Sequence, residues 1–265
     1  MKNKNRKMAE EEKKKTEGRK VEDSGEMSFL GHLEELRKRI IYSLISVVVF
    51  SIVAGVFIDY IMEYVLLYPA TNVGLKLQNL RTFGQPFLYF KVIFVTGFIL
   101  AFPFFLFQLW KFISPGLYEN ERKWVRSITF FTSLCFFIGI AFAYFIMLPS
   151  MLNFAVGFGS EEIKNMIDIN EYFSFITLII LAAGLLFELP MITWVLARIG
   201  IMTPDYMRKY RRHSIIVILI LAAILTPTPD PISQMIFAAP LFILYELSIF
   251  IAKAAYKKHQ QGLAG

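Results

Sequence analysis

Apolar residues in this chain gather into long runs separated by short polar segments, a pattern that predicts membrane-crossing helices rather than a globular core. Six runs stand out, at about residues 40–58, 87–109, 125–148, 172–197, 214–225 and 232–252. A helix needs about 20 apolar residues to cross about 30 Å of hydrocarbon. The first four runs and the sixth reach that length. The fifth has only about a dozen residues and by itself is equally compatible with a re-entrant segment.

Charge favours a crossing. With the amino terminus placed inside, the outside loops hold only Lys76, Arg81 and Lys164, and Lys91 lies within a span. The rest of the 28 Lys and Arg residues fall inside, among them Lys111, Arg126, Arg198, Arg208, Arg211 and Lys253. This asymmetry is the positive-inside signature. The expected fold is an all-α integral membrane protein with six transmembrane helices and both termini in the cytoplasm. Its expected location is the cytoplasmic membrane.

The polar ends divide the chain further. Residues 1–26 are rich in Lys, Glu, Asn and Arg and predict a disordered, charged cytoplasmic tail. They lack the apolar middle of a cleaved signal peptide. Residues 27–252 form the six-helix domain, and 253–265 a cytoplasmic tail. Within 28–39, Phe29, Leu33, Leu36 and Ile40 recur at helical spacing, with Glu34, Glu35, Arg37, Lys38 and Arg39 between them. That spacing predicts a short interfacial helix leading into the first span.

Composition agrees with a membrane location. Hydrophobic residues make up 56% and charged residues only 18%, against about 25% charged in globular proteins. The net charge of +7 is scattered in short clusters, not gathered on one face, which argues against nucleic acid as a partner. A single cysteine, Cys135, rules out a disulfide within the chain and a cysteine cluster for zinc. His32, His213 and His259 are isolated, so no metal or other cofactor is expected. Pro103, Pro149, Pro190 and Pro240 fall in or at the ends of runs. They either bend their helices into cupped surfaces or are simply tolerated there.

Charges inside a span cost about 2.5–3.5 kcal/mol each on insertion scales. Glu188 lies ten residues before Arg198, about 15 Å at helical rise, which places it near mid-bilayer. It serves either as a functional polar site or as a hydrogen-bonded contact between helices. Glu246 lies nearer an interface, where pairing is easy, and Lys91 can snorkel outward. In the first inside loop Glu119 and Glu121 stand beside Arg122 and Lys123. From the residues alone, Glu121 reads first as a solvated charge or a partner of Lys123.

Five segments together carry a family resemblance. His32-Leu33-Glu34-Glu35-Leu36-Arg37-Lys38-Arg39 resembles the HLxELRxR start of TatC proteins, the multi-spanning receptors of the twin-arginine protein translocase. Phe112 through Tyr118, followed by Glu121-Arg122, resembles the family's FxxPxLYxxER loop. Ala141 to Phe145 with Pro149 resembles its third span, and Phe187-Glu188-Leu189-Pro190 its FExP. Thr226-Pro227 through Asp230, Ser233-Gln234 and Pro240 resemble its TPxD-SQ-IP stretch. The motifs occur in order over roughly residues 28–252. The TPTPDP loop is one residue longer than TPPD, Gly116 stands where Ala is frequent, and the amino-terminal tail has no counterpart.

The resemblance implies bent helices in a cupped arrangement, with helices five and six short. It implies a receptor for the twin-arginine signal peptides of folded cargo proteins, working in membrane lipid as a homo-oligomer with small single-span TatA/TatB-like partners. The proton-motive force would drive transport, and no enzyme activity is implied. Glu121 would be the principal partner of the signal arginines and Glu35 the second. Leu36, Arg37, Arg39, Phe112, Pro115 and Arg122 would complete that site. Glu188 would form an intramembrane polar site, and Thr226 and Gln234 would contact a small partner. Two other classes fit parts of the chain less well. An ion-coupled transporter would explain the spans and Glu188, but no matching halves are visible. An intramembrane enzyme would need a Ser–His pair, paired aspartates or a zinc motif within a span.

Overall fold

The structure, a computed structural model, describes residues 29–113, 125–157, 166–226 and 231–263. The chain divides into two compact units, Met1–Tyr42 and Ser43–Gly265.

Helix α1 covers Phe29–Val56. The amphipathic start and the first apolar run therefore belong to one continuous helix. No proline or glycine–proline break separates them, so nothing in the backbone interrupts the ladder. After α1 come three helical pieces in succession, Ile58–Tyr60, a π-helical Ile61–Leu67 and Tyr68–Asn72. Strand β1, Lys76–Gln78, precedes α2, Gly84–Ile113. Pro103 lies inside α2, and Lys111 in its last turn suits the negative end of the helix dipole.

Helix α3, Val125–Phe142, runs through a π-helical segment, Ala143–Met147, into α4, Leu148–Gly157. Strand β2, Met166–Asp168, leads to α5, Ile169–Leu186, and then α6, Leu189–Arg198. Helix α7, Pro204–Lys209, is capped by the Thr203 hydroxyl, which accepts from Tyr206 N. Helices α8, Arg211–Leu225, and α9, Pro231–Leu263, complete the order.

Among the described residues, five helical stretches are long and apolar enough to span a bilayer: Gly31–Val56, Gly84–Ile113, Arg126–Gly157, Ile169–Arg198 and Gln234–Lys257. Helix α8 has 15 residues, about 22 Å at 1.5 Å per residue, short of about 30 Å of hydrocarbon. The expectation that helix six is short is corrected. Helix α9 has 33 residues and continues helically past Lys253, because nothing after Pro240 breaks it.

Three-residue strands β1 and β2 pair in parallel, with Lys76 opposite Met166, Leu77 opposite Ile167 and Gln78 opposite Asp168. The fold is thus not purely helical. The pairing closes a loop between segments far apart in sequence, and no local pattern marks it.

The core of the second unit is gathered in separate clusters along the helices. Ile179, Ala183, Ala222, Phe237 and Leu241 form one cluster. Leu88, Leu148, Tyr172 and Ile176 form a second at the end that carries the sheet. Phe102 and Phe136 stack with centroids 3.5 Å apart in a third. Helices α3 and α5 approach closely at two glycines. A Cβ on Gly139 would lie 2.7 Å from Ala183 O, and one on Gly184 would lie 2.6 Å from Phe136 Cε2. Only glycine permits that crossing, and it lies just before the break between α5 and α6.

Candidate functional site

The fourth apolar run is not one helix. It breaks at Phe187 and Glu188, because Pro190 in the first turn of α6 has no N–H to give to the turn before it. Phe187 N donates to Ala183 O at 3.0 Å, and Glu188 N donates to Leu185 O at 3.1 Å. Glu188 O then accepts from Ile192 N at 2.9 Å, which starts the next helix. Glu188 therefore occupies the cap position of α6, inside the membrane-capable stretch Ile169–Arg198.

The Glu188 side chain is only 5% exposed, and its Oε1 has no hydrogen-bond partner among the described residues. Buried polar atoms are nearly always satisfied. A carboxyl oxygen without a partner costs stability. Its chain neighbour Phe187 faces Phe142 at a centroid distance of 5.6 Å.

A second buried acid behaves differently. Asp168, also 5% exposed, ends β2 and caps α5. Its Oδ1 accepts from Asn170 N at 2.7 Å and Glu171 N at 3.4 Å, and its Oδ2 accepts from Leu80 N at 3.1 Å. Burial pushes this carboxyl up, but the backbone donors of Asn170, Leu80 and Glu171 outweigh burial and hold it below the usual range. The acid three residues before Glu171 is a helix-start signal that reading the sequence for spans passed over.

Nearby, two tyrosines serve the π-helical segment. Tyr144 OH donates to Val65 O at 2.8 Å and Tyr172 OH to Leu66 O at 3.0 Å. A π-helical turn shifts the backbone register, and these hydroxyls reach carbonyls within it.

On α1, Glu35 accepts from Arg39 at 2.9 Å, with both side chains about four-fifths covered. Glu34 and Lys38 make an exposed pair at 2.9 Å. Arg37 is exposed and Leu36 half-buried. Phe112 is half-buried in the last turn of α2. Glu121, Arg122 and Pro115 lie outside the described residues.

Thr226 and Gln234 are placed at the α8–α9 end. Thr226 is buried, and its hydroxyl donates to Ala222 O at 3.0 Å. Gln234 Nε2 donates to Leu219 O at 3.1 Å, tying α9 to α8. At the other end of these helices Arg211 pairs with Glu246 at 2.7 Å, and Tyr245 OH donates to Met207 O at 2.8 Å. Glu246 is thus half of an ion pair, as its position near an interface suggested. Lys91 is exposed. Among the described residues no group of His, Cys, Asp or Glu is placed to hold a metal ion.

These features define a multi-spanning helical membrane protein that keeps a buried, partly unsatisfied carboxyl at a break inside one span. The match to known proteins places it more narrowly. Residues 31–240 match the family described as Sec-independent protein translocase protein (TatC), and the chain belongs to that family. It is 40% identical over 236 residues to the Sec-independent protein translocase protein TatC of Carboxydothermus hydrogenoformans, covering 89% of this chain and 97% of that one. It is 38% identical over 243 residues to the TatCy protein of Bacillus subtilis, covering 90% and 94%. Crystal structures of a twin-arginine translocase receptor TatC superpose with TM-scores of 0.73 and 0.75, at 35% and 34% identity, each covering 84% of this chain and 99% of theirs.

Proposed function

We propose that this chain is the receptor subunit of a twin-arginine translocase in the cytoplasmic membrane, with six spans and both termini inside. It binds the twin-arginine signal peptides of folded cargo. The observation that carries the reading is the Glu35–Arg39 pair within the family's amino-terminal motif. A carboxylate there already accepts a guanidinium, the group a signal arginine would present, and such pairs can form two parallel hydrogen bonds. Glu121 is the principal arginine partner and Glu35 the second. Arg37, Arg39 and Arg122 set the geometry, and Leu36, Phe112 and Pro115 line the same site.

Glu188 is the intramembrane polar site. A carboxyl oxygen left unsatisfied by its own chain is completed by a polar group from the signal peptide or from a small single-span TatA/TatB-like partner. The concave face formed by bent helices receives that group. Thr226 and Gln234 lie where such a partner docks, and cysteines at those positions should crosslink to it. The active complex contains more than one copy of the chain, sits in lipid and draws on the proton-motive force.

The test is binding of a labelled twin-arginine peptide to the purified protein, with a twin-lysine peptide as control. Preference for arginine that disappears in Glu121→Ala supports the reading. A Glu121→Ala protein that still rejects twin-lysine overturns the assignment of that residue. Equal binding of both peptides to the folded wild type overturns the receptor reading.

A further inference from the structure

The helical pieces between α1 and β1 have three faces of different chemistry. Met62, Leu66 and Ala70 are buried and join the cluster that contains Leu88, Leu148 and Tyr172. Tyr60, Tyr64 and Tyr68 are 62%, 56% and 55% exposed. Asp59 and Glu63 are exposed beside them.

The tyrosines recur at every fourth residue, and the rings of Tyr60 and Tyr64 stack 4.8 Å apart. In an α-helix a step of four overshoots the 3.6-residue turn. The wider turns of the π-helical Ile61–Leu67 undershoot it. The combination keeps the three rings in one row.

Packing does not need this row, since the buried face already joins the core. Its place along the chain indicates its surroundings. The pieces follow directly on the membrane-capable Gly31–Val56. Their buried face meets Tyr172, three residues into Ile169–Arg198, which is about 5 Å along the helix axis. The row therefore lies at the depth where hydrocarbon gives way to headgroups. Rings with an apolar body and a polar tip favour that layer.

We propose that Ile58–Asn72 is an interfacial anchor at the end of α1 away from the amino terminus. Tyr60, Tyr64 and Tyr68 lie among phospholipid headgroups, with their rings toward the acyl chains and their hydroxyls toward glycerol and phosphate. Asp59 and Glu63 face water. The occupant is lipid because exposed large apolar residues flank the row along the chain, Val56 and Phe57 before it and Phe83, Phe87 and Phe90 after it. Val56, Phe87 and Phe90 belong to the membrane-capable stretches on either side.

The test uses the full chain in phospholipid vesicles. Cys135, the only cysteine, is changed to Ser, and a nitroxide label is placed in turn at Tyr64→Cys, Tyr68→Cys and Glu63→Cys. Collision with oxygen, which partitions into lipid, is compared with collision with a water-soluble nickel chelate. Labels at 64 and 68 should show an oxygen-to-nickel ratio several-fold above that at 63. A ratio at both positions equal to that at 63 places the row in water and overturns the proposal. Labels at both positions shielded from both reagents place it under protein, such as a second copy, and overturn it equally. Tyr68 reports the row if position 64 does not accept the label.

Discussion

Asp168 and Glu188 are acids on the same stretch of chain, each 5% exposed, and their surroundings could hardly differ more. Asp168 takes three backbone N–H groups across two oxygens and joins a strand, a helix start and a distant loop. Glu188 sits at a proline-enforced break with Oε1 unsatisfied. Burial alone does not distinguish a structural acid from a functional one. The two differ in the partners the chain supplies: Asp168 has backbone donors on both oxygens, whereas Glu188 Oε1 has none among the described residues.

Substitutions at these positions should affect stability to decreasing degrees. The largest effect concerns the crossing that positions the break. Gly184→Leu should destabilise the protein by about 3 kcal/mol through overpacking against Phe136, and thermal unfolding in detergent should register it. Little change would mean that α3 and α5 are free to move apart.

Next, Asp168→Ala should lower the melting temperature by several degrees, since it strands the amides of Asn170 and Leu80. Asp168→Asn should recover part of this, because one oxygen can still accept. The pH dependence sharpens the point. Asp168 is held below its unfolded value, so its contribution is complete above the ordinary carboxylate range and is lost as pH falls through the folded value. Melting temperatures measured from neutral to acid pH should fall less steeply in Asp168→Asn than in wild type.

Glu188→Gln should lower stability less than Asp168→Ala does, because it strands no backbone donor, yet impair export while leaving signal binding at the surface nearly intact. Loss of stability on the scale of Asp168→Ala would end the contrast between the two acids. The smallest effect belongs to Arg211→Ala. Its pair with Glu246 is partly exposed, and such pairs contribute about 0–1 kcal/mol. Melting should shift barely, and less at high salt.

Much of this architecture is legible in the sequence. Apolar runs of sufficient length mark the spans, because hydrocarbon thickness sets a length that composition can meet or miss. The shortness of α8 is equally visible. Glu188 stands out because a charge in such a run is expensive, and Pro190 beside it signals the break. The strand pair is not legible, since Lys76–Gln78 and Met166–Asp168 are three residues each and draw their order from each other. Nor do the Tyr144 and Tyr172 bonds follow from local pattern. They depend on π-helical turns whose position no periodicity announces. Thr226 and Gln234 stand out by motif, but sequence alone does not say that both hydroxyl and amide are already spent on backbone carbonyls.

The strand pair also imposes an order on assembly. The ladder partner of Lys76 in β1 is Met166, 90 residues later, so β1 has no ladder partner until the start of α5 has been made and delivered to the same side as β1. A chain threaded into the membrane from its amino terminus therefore carries an open strand through the insertion of two further spans. Closing it is a late event with a long memory in sequence. A chain whose α5 started on the wrong side could never close it, which makes the pair a check on topology as well as a contact.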